Sequence, residues 1–366
     1  MRPTMTVSPP REWAREQRAR RRGVTGMAVT VVALHVAGWG LLAALVIPNH
    51  YAVGNVVFGA GLGVTAYTLG MRHAFDVDHI AAIDNTTRKL VGERRTPVSV
   101  GFWFSLGHST VVFVMVGALA LGARVLASGV EDDGSGLRRW TGTFGSGVSG
   151  TFLLLIGVLN LVSLIGIGRA LRAVRRGEGD ERDLDSRLYA RGALNRVLAP
   201  LVRAVRKPGQ MYPIGVLFGL GFDTVTEVSL LVLAGGAAAD TDLPWYAIVV
   251  LPLLFSAGMT LFDSLDGACM NAAYGWACAA PARKIYYNLL VTGLSVAVAL
   301  LIGAQEIVSV VTGALGITSG PLAWIGGLDL GAMGFAVVAL FLATWLLALI
   351  LWRRGQSPRA AHEGPT

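Results

Sequence analysis

The polar residues of one otherwise apolar segment could bind a metal cation. The segment MRHAFDVDHIAAIDNTTR, residues 71–88, carries imidazole and carboxylate groups at close spacing: His73, Asp76, Asp78, His79 and Asp84. Neutral imidazole is a good ligand for nickel, cobalt, zinc and copper, and carboxylates balance the charge of a dication. No cysteine lies in this segment, which argues against a soft Cu(I) site.

Other apolar segments also carry acids and histidines. They are His108 in FSLGHST, Asp223 and Glu227 in GFDTVTE, Asp263 and Asp266 in GMTLFDSLDG, and His35. An ionisable group inside a bilayer costs about 3 kcal/mol unless it faces a cavity or a partner. At a rise of 1.5 Å per residue, most of these groups fall at similar depth, between the midplane and the inner leaflet. We therefore predict one shared site, which is either a metal site or a proton relay.

Helical geometry limits how the residues of the first segment can share one ion. At about 100° per residue, Asp78 lies about 140° and His79 about 240° around the helix axis from His73. A regular helix therefore cannot direct all three at one ion. Either the helix is distorted near residues 75–77, as in the broken helices of many transporters, or Asp76 is the direct neighbour of the two histidines and Asp78 orients them from further out.

Composition places these residues in a membrane protein. Of 366 residues, 53% are hydrophobic and only 15% are charged, against about 25% charged residues in typical soluble domains. Long apolar runs predict an all-α, polytopic integral membrane protein with eight transmembrane helices. The runs cover about residues 25–47, 54–84, 98–121, 146–168, 212–236, 245–276, 285–304 and 330–352. The fourth, seventh and eighth runs carry no charge in their cores, so we expect them to be scaffold.

The distribution of Lys and Arg predicts the orientation. Nearly all of the 31 basic residues lie in the tails and in every second loop, whereas the alternate loops hold only Arg124, Arg138 and Arg139. The positive-inside rule then places both termini in the cytoplasm. The net charge of +8 is accounted for by this topology, so no nucleic-acid partner is expected.

The same pattern divides the chain into three parts. We predict an Arg-rich cytoplasmic tail at 1–24, an eight-helix transporter domain at 25–352 and a second cytoplasmic tail at 353–366. The cytoplasmic loop 169–211 carries leucines at mostly helical spacing among arginines. It is either an amphipathic helix on the inner leaflet or a solvated connector.

These residues resemble the motifs of the NiCoT family of nickel/cobalt transporters, which are secondary permeases with eight spans. The family signature H-x-x-x-x-D-H is matched by His73, Asp78 and His79. Three further family motifs follow in order: FSLGHSTVV, LGFDTVTE and GMTLFDSLDG. The stretch AWIGGLDLGAMG before the last span also resembles the family. The resemblance covers about residues 25–352 and departs at Val77, where a small alanine is commoner.

The resemblance implies an importer of Ni²⁺ and/or Co²⁺ in the bacterial cytoplasmic membrane, with the metal as transported substrate and no resident cofactor. It implies a metal-recognition core of His73, Asp78 and His79, with Asp76 beside them. A second group would line or support the path: His108, Asp223, Glu227, Asp263 and Asp266. His35 and Phe75 resemble the subgroup that handles cobalt as well as nickel. Residues 85–88 are expected to cap the second span at its cytoplasmic mouth.

The charge of the ion and the motifs that the chain lacks predict the energy source and rank the competing functions. A dication that enters at about 100 mV gains about 4.6 kcal/mol, and the chain has no Walker-type motif, so we expect uptake driven by the membrane potential.

Neither His73 nor His79 begins an H-E-x-x-H pattern, which disfavours an intramembrane metallohydrolase, and we expect no enzyme activity. Export, metalloenzyme maturation and transport of another ion remain alternatives. The expected partners are the cation and the lipid bilayer, with no obligatory protein partner.

Overall fold

The chain folds as a helical bundle. The computed structural model describes residues 10–53, 56–93, 95–120, 136–176, 205–221, 243–278, 284–328 and 333–355. Within these ranges the only sheet is a ribbon of two antiparallel two-residue strands, β1 (Ala52–Val53) and β2 (Val56–Val57). The predicted all-α membrane fold is confirmed.

Ten α-helices are present in the described ranges. They are α1 (Pro10–Leu41), α2 (Ala60–Ala74), α3 (Val77–Gly92), α4 (Val100–Ala120), α5 (Gly136–Arg175), α6 (Met211–Gly219), α7 (Trp245–Cys278), α8 (Lys284–Leu315), α9 (Pro321–Gly326) and α10 (Met333–Gly355). A π-helical turn at Leu42–Val46 and a 3₁₀ turn at Ile47–Asn49 extend α1, and a 3₁₀ turn at Pro208–Gln210 precedes α6.

Five stretches in the described ranges are long and apolar enough to cross a membrane. They are Gly23–Asn49, Val100–Ala118, Arg139–Gly166, Trp245–Gly275 and Thr292–Leu315, and they coincide with five of the eight predicted spans. The predicted second span is divided between α2 and α3, and most of the fifth lies outside the described residues. The apolar stretch of the eighth, Met333–Thr344, is shorter. The count of eight and the orientation of the termini stay predictions.

Some boundaries differ from the sequence-based expectation. The second span was expected to begin at residue 54, but Val56–Val57 form a strand of the ribbon and α2 begins at Ala60. Helix α5 continues to Arg175, into the segment expected to be the 169–211 loop. Residues 177–204, which hold most of the candidate amphipathic helix, lie outside the described residues.

Helix α7 forms the centre of the bundle. It packs against α1, α2, α3 and α4, while α5 and α8 pair with each other beside this group. Buried side chains make up 67% of the apolar stretch of α7 and 61% of that of α4, against about a third in α5 and α8. Polar groups on α7 and α4 can therefore be held away from lipid by neighbouring helices.

Candidate metal site

The interruption between α2 and α3 brings the signature residues together. Phe75 has φ −93° and ψ 7°, and Asp76 is extended with φ −65° and ψ 141°. The first helix ends here with the Phe75 and Asp76 amides bonded to the carbonyls of Arg72 and His73. A new helix then starts at Val77. The distortion proposed for residues 75–77 is therefore present in the fold.

Three buried imidazoles from three helices meet at this interruption. His73 of α2, His79 of α3 and His108 of α4 are at most 2% exposed. Their ring centroids are 4.5 Å (His73–His79), 4.7 Å (His73–His108) and 5.1 Å (His79–His108) apart. One ring nitrogen from each lies within 4.8 Å of the other two. We call His73, His79 and His108 the histidine cluster.

Two carboxylates orient the rings of the histidine cluster. The Nδ1 of His73 lies 2.8 Å from Oδ2 of Asp76, and the Nδ1 of His79 lies 3.4 Å from Oδ2 of Asp263. A ring whose Nδ1–H donates to a carboxylate presents Nε2 as an acceptor. In the cluster, the Nε2 atoms of His73 and His108 are 3.1 Å apart. Carboxylate partners of this kind fix the orientation of metal-binding histidines in proteins.

Asp78 has a different place from Asp76. Its Oδ1 accepts a hydrogen bond of 2.9 Å from the backbone amide of His79, in the first turn of α3. A carboxylate is favourable there because the helix dipole is positive at this end. Both sequence alternatives thus hold in part: the helix is broken, and Asp76 contacts His73 directly while Asp78 stabilises the start of α3.

Close helix packing holds these elements in place. A Cβ added at Gly101 of α4 would lie 1.9 Å from the backbone oxygen of Asp263, and one added at Gly334 of α10 would lie 1.6 Å from that of Phe75. Only glycine permits these approaches. Small residues at helix contacts are the usual means of close packing in membrane proteins.

The remaining candidates are dispersed. Asp266 lies one turn beyond Asp263 on α7, and its Oδ2 has no hydrogen-bond partner. His35 of α1 bonds Tyr67 of α2 at 3.3 Å and lies outside the histidine cluster. Phe75 stacks on Phe335 of α10 with ring centroids 4.8 Å apart. Asp223 and Glu227 lie outside the described residues.

Sequence reasoning missed the partners of a second buried polar group on the α3 side. The hydroxyl of Tyr274 donates to Oδ1 of Asp84 and lies 3.0 Å from Oγ of Ser295. The amide of Asn160 donates to Oδ1 of Asn85 at 2.7 Å. The expectation that residues 85–88 cap a helix end is wrong, because α3 continues to Gly92 and buries all four.

A buried acid was missed in the α5–α8 pair. Because α8 runs to Leu315 and not to 304, Glu306 lies inside a membrane-length helix. It is 8% exposed, and its Oε1 accepts a hydrogen bond from Ser149 of α5 at 3.0 Å. The expectation of uncharged scaffold spans is therefore wrong for the seventh. The apolar sequence that continues past residue 304 was the available signal.

The fold and this interior define a class: a multi-pass helical membrane protein with imidazoles and carboxylates collected away from lipid. The family model described as "High-affinity nickel-transport protein" matches residues 59–351. The chain belongs to this family of transport proteins, and it is not an enzyme. The sequence-based recognition is confirmed.

Individual relatives agree with the family assignment. The chain is 54% identical to the "Nickel transporter NicT" of Mycobacterium tuberculosis, over 90% of this chain and 88% of the relative. It is 43% identical to the "Nickel transporter NixA" of Staphylococcus aureus, over 89% and 93%. It is 40% identical to the "Cobalt transport protein NhlF" of Rhodococcus rhodochrous, over 92% and 94%. No solved structure matches the chain.

Proposed function

We propose that the protein imports Ni²⁺ and/or Co²⁺ through the histidine cluster. The relatives that transport nickel or cobalt support this substrate class. The observation that carries the site is the convergence of three buried ring nitrogens within 4.8 Å of one another. The metal is the transported substrate, and the proposal includes no resident cofactor.

The spacing of the nitrogens suits a shared ion. Two ligands in cis positions about 2.1 Å from one ion are about 3.0 Å apart, for metal–imidazole bonds of ordinary length. The Nε2 atoms of His73 and His108 are 3.1 Å apart. His79 Nε2 is buried and has no hydrogen-bond partner, so it is available as a third ligand.

The carboxylates supply charge and orientation. Bringing a dication into a buried site requires nearby negative charge. Asp76 and Asp263, which contact the rings of His73 and His79, meet this need, with Asp78 at the start of α3 adding to it. Asp223, Glu227 and Asp266 complete the proposed path.

We further propose a driving force and a location. In a bacterial cytoplasmic membrane with eight spans and cytoplasmic termini, a potential of about 100 mV provides about 4.6 kcal/mol for each dication that enters. That energy supports a gradient of roughly 2,000-fold. His35 and Phe75 are proposed to tune the choice between nickel and cobalt through α1 and α10, since neither belongs to the histidine cluster.

The test is accumulation of radioactive nickel at nanomolar concentration by bacteria that express the wild type or His73→Ala at equal membrane levels. We expect wild-type uptake that collapses both with the substitution and with a protonophore. Equal uptake by the two proteins would contradict the site. Lower accumulation with the wild type than with empty vector would indicate export.

A further inference from the structure

Helices α3 and α7 continue together past the histidine cluster. His79 of α3 contacts Asp263 of α7. Five residues after His79, Asp84 contacts Tyr274, which lies after Asp263 on α7. The two helices therefore run in the same direction. Asp84 lies about 7.5 Å beyond His79 along the helix axis, and Asp266 about 4.5 Å beyond Asp263, at 1.5 Å per residue. The positive-inside rule assigns this side to the cytoplasm.

Two carboxylates in this region have unused acceptors. Asp84 is fully buried, and its Oδ2 has no hydrogen-bond partner. The Oδ2 of Asp266 is also inaccessible to solvent and has no partner. Their chain neighbours are in contact, because a Cβ added at Gly267 would lie 3.6 Å from Cγ2 of Ile83. Burying a carboxylate oxygen without a hydrogen-bond donor in a membrane interior costs free energy. We therefore expect these two oxygen atoms to bind a ligand.

The hydrogen-bond network around Asp84 does not satisfy that requirement. Tyr274 donates to Oδ1, the other oxygen of Asp84. Arg88 follows Asp84 by one turn on α3 and is 8% exposed, but its Nε and Nη2 have no hydrogen-bond partner. One guanidinium balances only one of the two carboxylates.

We propose that Asp84 and Asp266 form a second, inner site for the transported dication, between the histidine cluster and the cytoplasm. The inner site rests on the proposed function, since its ligand is the ion that leaves the histidine cluster. It offers oxygen ligands only, whereas the histidine cluster offers nitrogen. An all-oxygen site binds Ni²⁺ and Co²⁺ more weakly than a site with imidazoles, which suits a position that the ion must leave.

The test is equilibrium binding of radioactive Ni²⁺ to the detergent-solubilised full-length protein. We expect the wild type to bind two ions, one more strongly than the other. Asp84→Asn and Asp266→Asn should each lose the weaker ion and retain the stronger with unchanged affinity. Glu306→Gln is the matched control, because it neutralises another buried acid, and it should bind both ions.

The outcomes separate the inner site from the proposed function. A wild type that binds a single ion, or aspartate variants that both still bind two, would overturn the inner site while import through the histidine cluster stands. A wild type that binds no nickel, or a His73→Ala protein that keeps the stronger ion, would overturn the proposed function as well. Two separate aspartate variants guard against one that fails to fold, which gel filtration detects.

Discussion

The histidine cluster and the α5–α8 pair both place polar groups inside apolar helices, but they use them differently. In the α5–α8 pair, Ser149 donates to Glu306, and the hydroxyl of Thr312 bonds carbonyls of its own helix. In the site region, one ring nitrogen from each of three histidines on three helices lies within 4.8 Å of the other two. Polar groups that bond in pairs hold helices together, whereas groups that converge from several helices on one point are suited to a ligand.

The burial of side chains also differs between the site region and the α5–α8 pair. The site residues lie on α2, α3, α4 and α7, at the centre of the bundle, and the aromatic rings of Phe104 and Phe255 pack on His79 and His73 with centroids 4.8 Å and 5.6 Å apart. In the apolar stretches of α5 and α8, only about a third of the side chains are buried. Four predictions test whether this division separates transport from stability.

The largest effect is expected from Asp76→Asn. The neutral amide keeps the size of the side chain but weakens the bond that orients the His73 ring and removes a negative charge beside the ion. Loss of such a partner typically lowers metal affinity by about 10- to 100-fold. Nickel titration of the purified protein measures this, with Glu306→Gln as the control for neutralising a buried acid. Equal affinities in the two variants would mean that Asp76 has no special relation to the metal.

Gly101→Ala should disturb the site through packing. The added Cβ would lie 1.9 Å from the Asp263 carbonyl, so α4 and α7 must separate, and overpacking of this kind costs about 1–3 kcal/mol. We expect a lower melting temperature and reduced nickel uptake. Gly117→Ala on the same helix meets nothing within 4 Å and should behave as the wild type. A Gly101→Ala protein with normal uptake would show that this contact does not position the site.

Acidification should weaken nickel binding to the site. Imidazole must be neutral to bind a metal, so protons compete and affinity is lost as the pH falls. We expect binding to fall by up to about tenfold per pH unit for each histidine of the cluster, once the pH is low enough to protonate it. Titrations from about pH 7.5 down to about pH 3.5 measure this, and the Glu306→Gln protein should follow the wild type. Binding that stays constant over this whole range, in protein that remains folded, would argue against imidazole ligands.

Ser149→Ala should have the smallest effect on transport. The substitution removes the 3.0 Å hydrogen bond to Glu306 and costs about 1–3 kcal/mol, as expected for a buried acceptor that loses its donor. We expect a lower melting temperature in detergent and unchanged uptake per folded molecule. Uptake that fell while stability stayed normal would place Glu306 in the transport path and remove the distinction between the two regions.

Much of the site could be predicted from sequence, because membrane burial makes ionisable residues conspicuous. His73, His79, His108 and Asp263 were expected to share a site on the basis of type and depth, and the structure brings them together. The helical angles also showed that a regular helix could not direct His73, Asp78 and His79 at one ion. His35 was separated from the cluster by the path of α1, which a single sequence does not reveal.

Other features depended on tertiary contacts that no local pattern encodes. Asp84 and Tyr274 are 190 residues apart in the chain, so their bond follows only from the packing of α3 on α7. Glu306 was missed because an apolar run has no sharp end, and α8 continues for another three turns beyond residue 304. The interruption at Phe75 was foreseen as one of two possibilities, and the contact of its carbonyl with Gly334 explains how α10 reaches it.

The most direct test of the central claim is nickel K-edge X-ray absorption on the purified full-length protein loaded with one equivalent of Ni²⁺. The proposed site predicts imidazole scattering from two or three histidines at about 2.1 Å. One imidazole fewer is expected in His73→Ala, and no change in Glu306→Gln. A spectrum with oxygen ligands only, or identical spectra for the wild type and His73→Ala, would contradict binding of the metal at the histidine cluster.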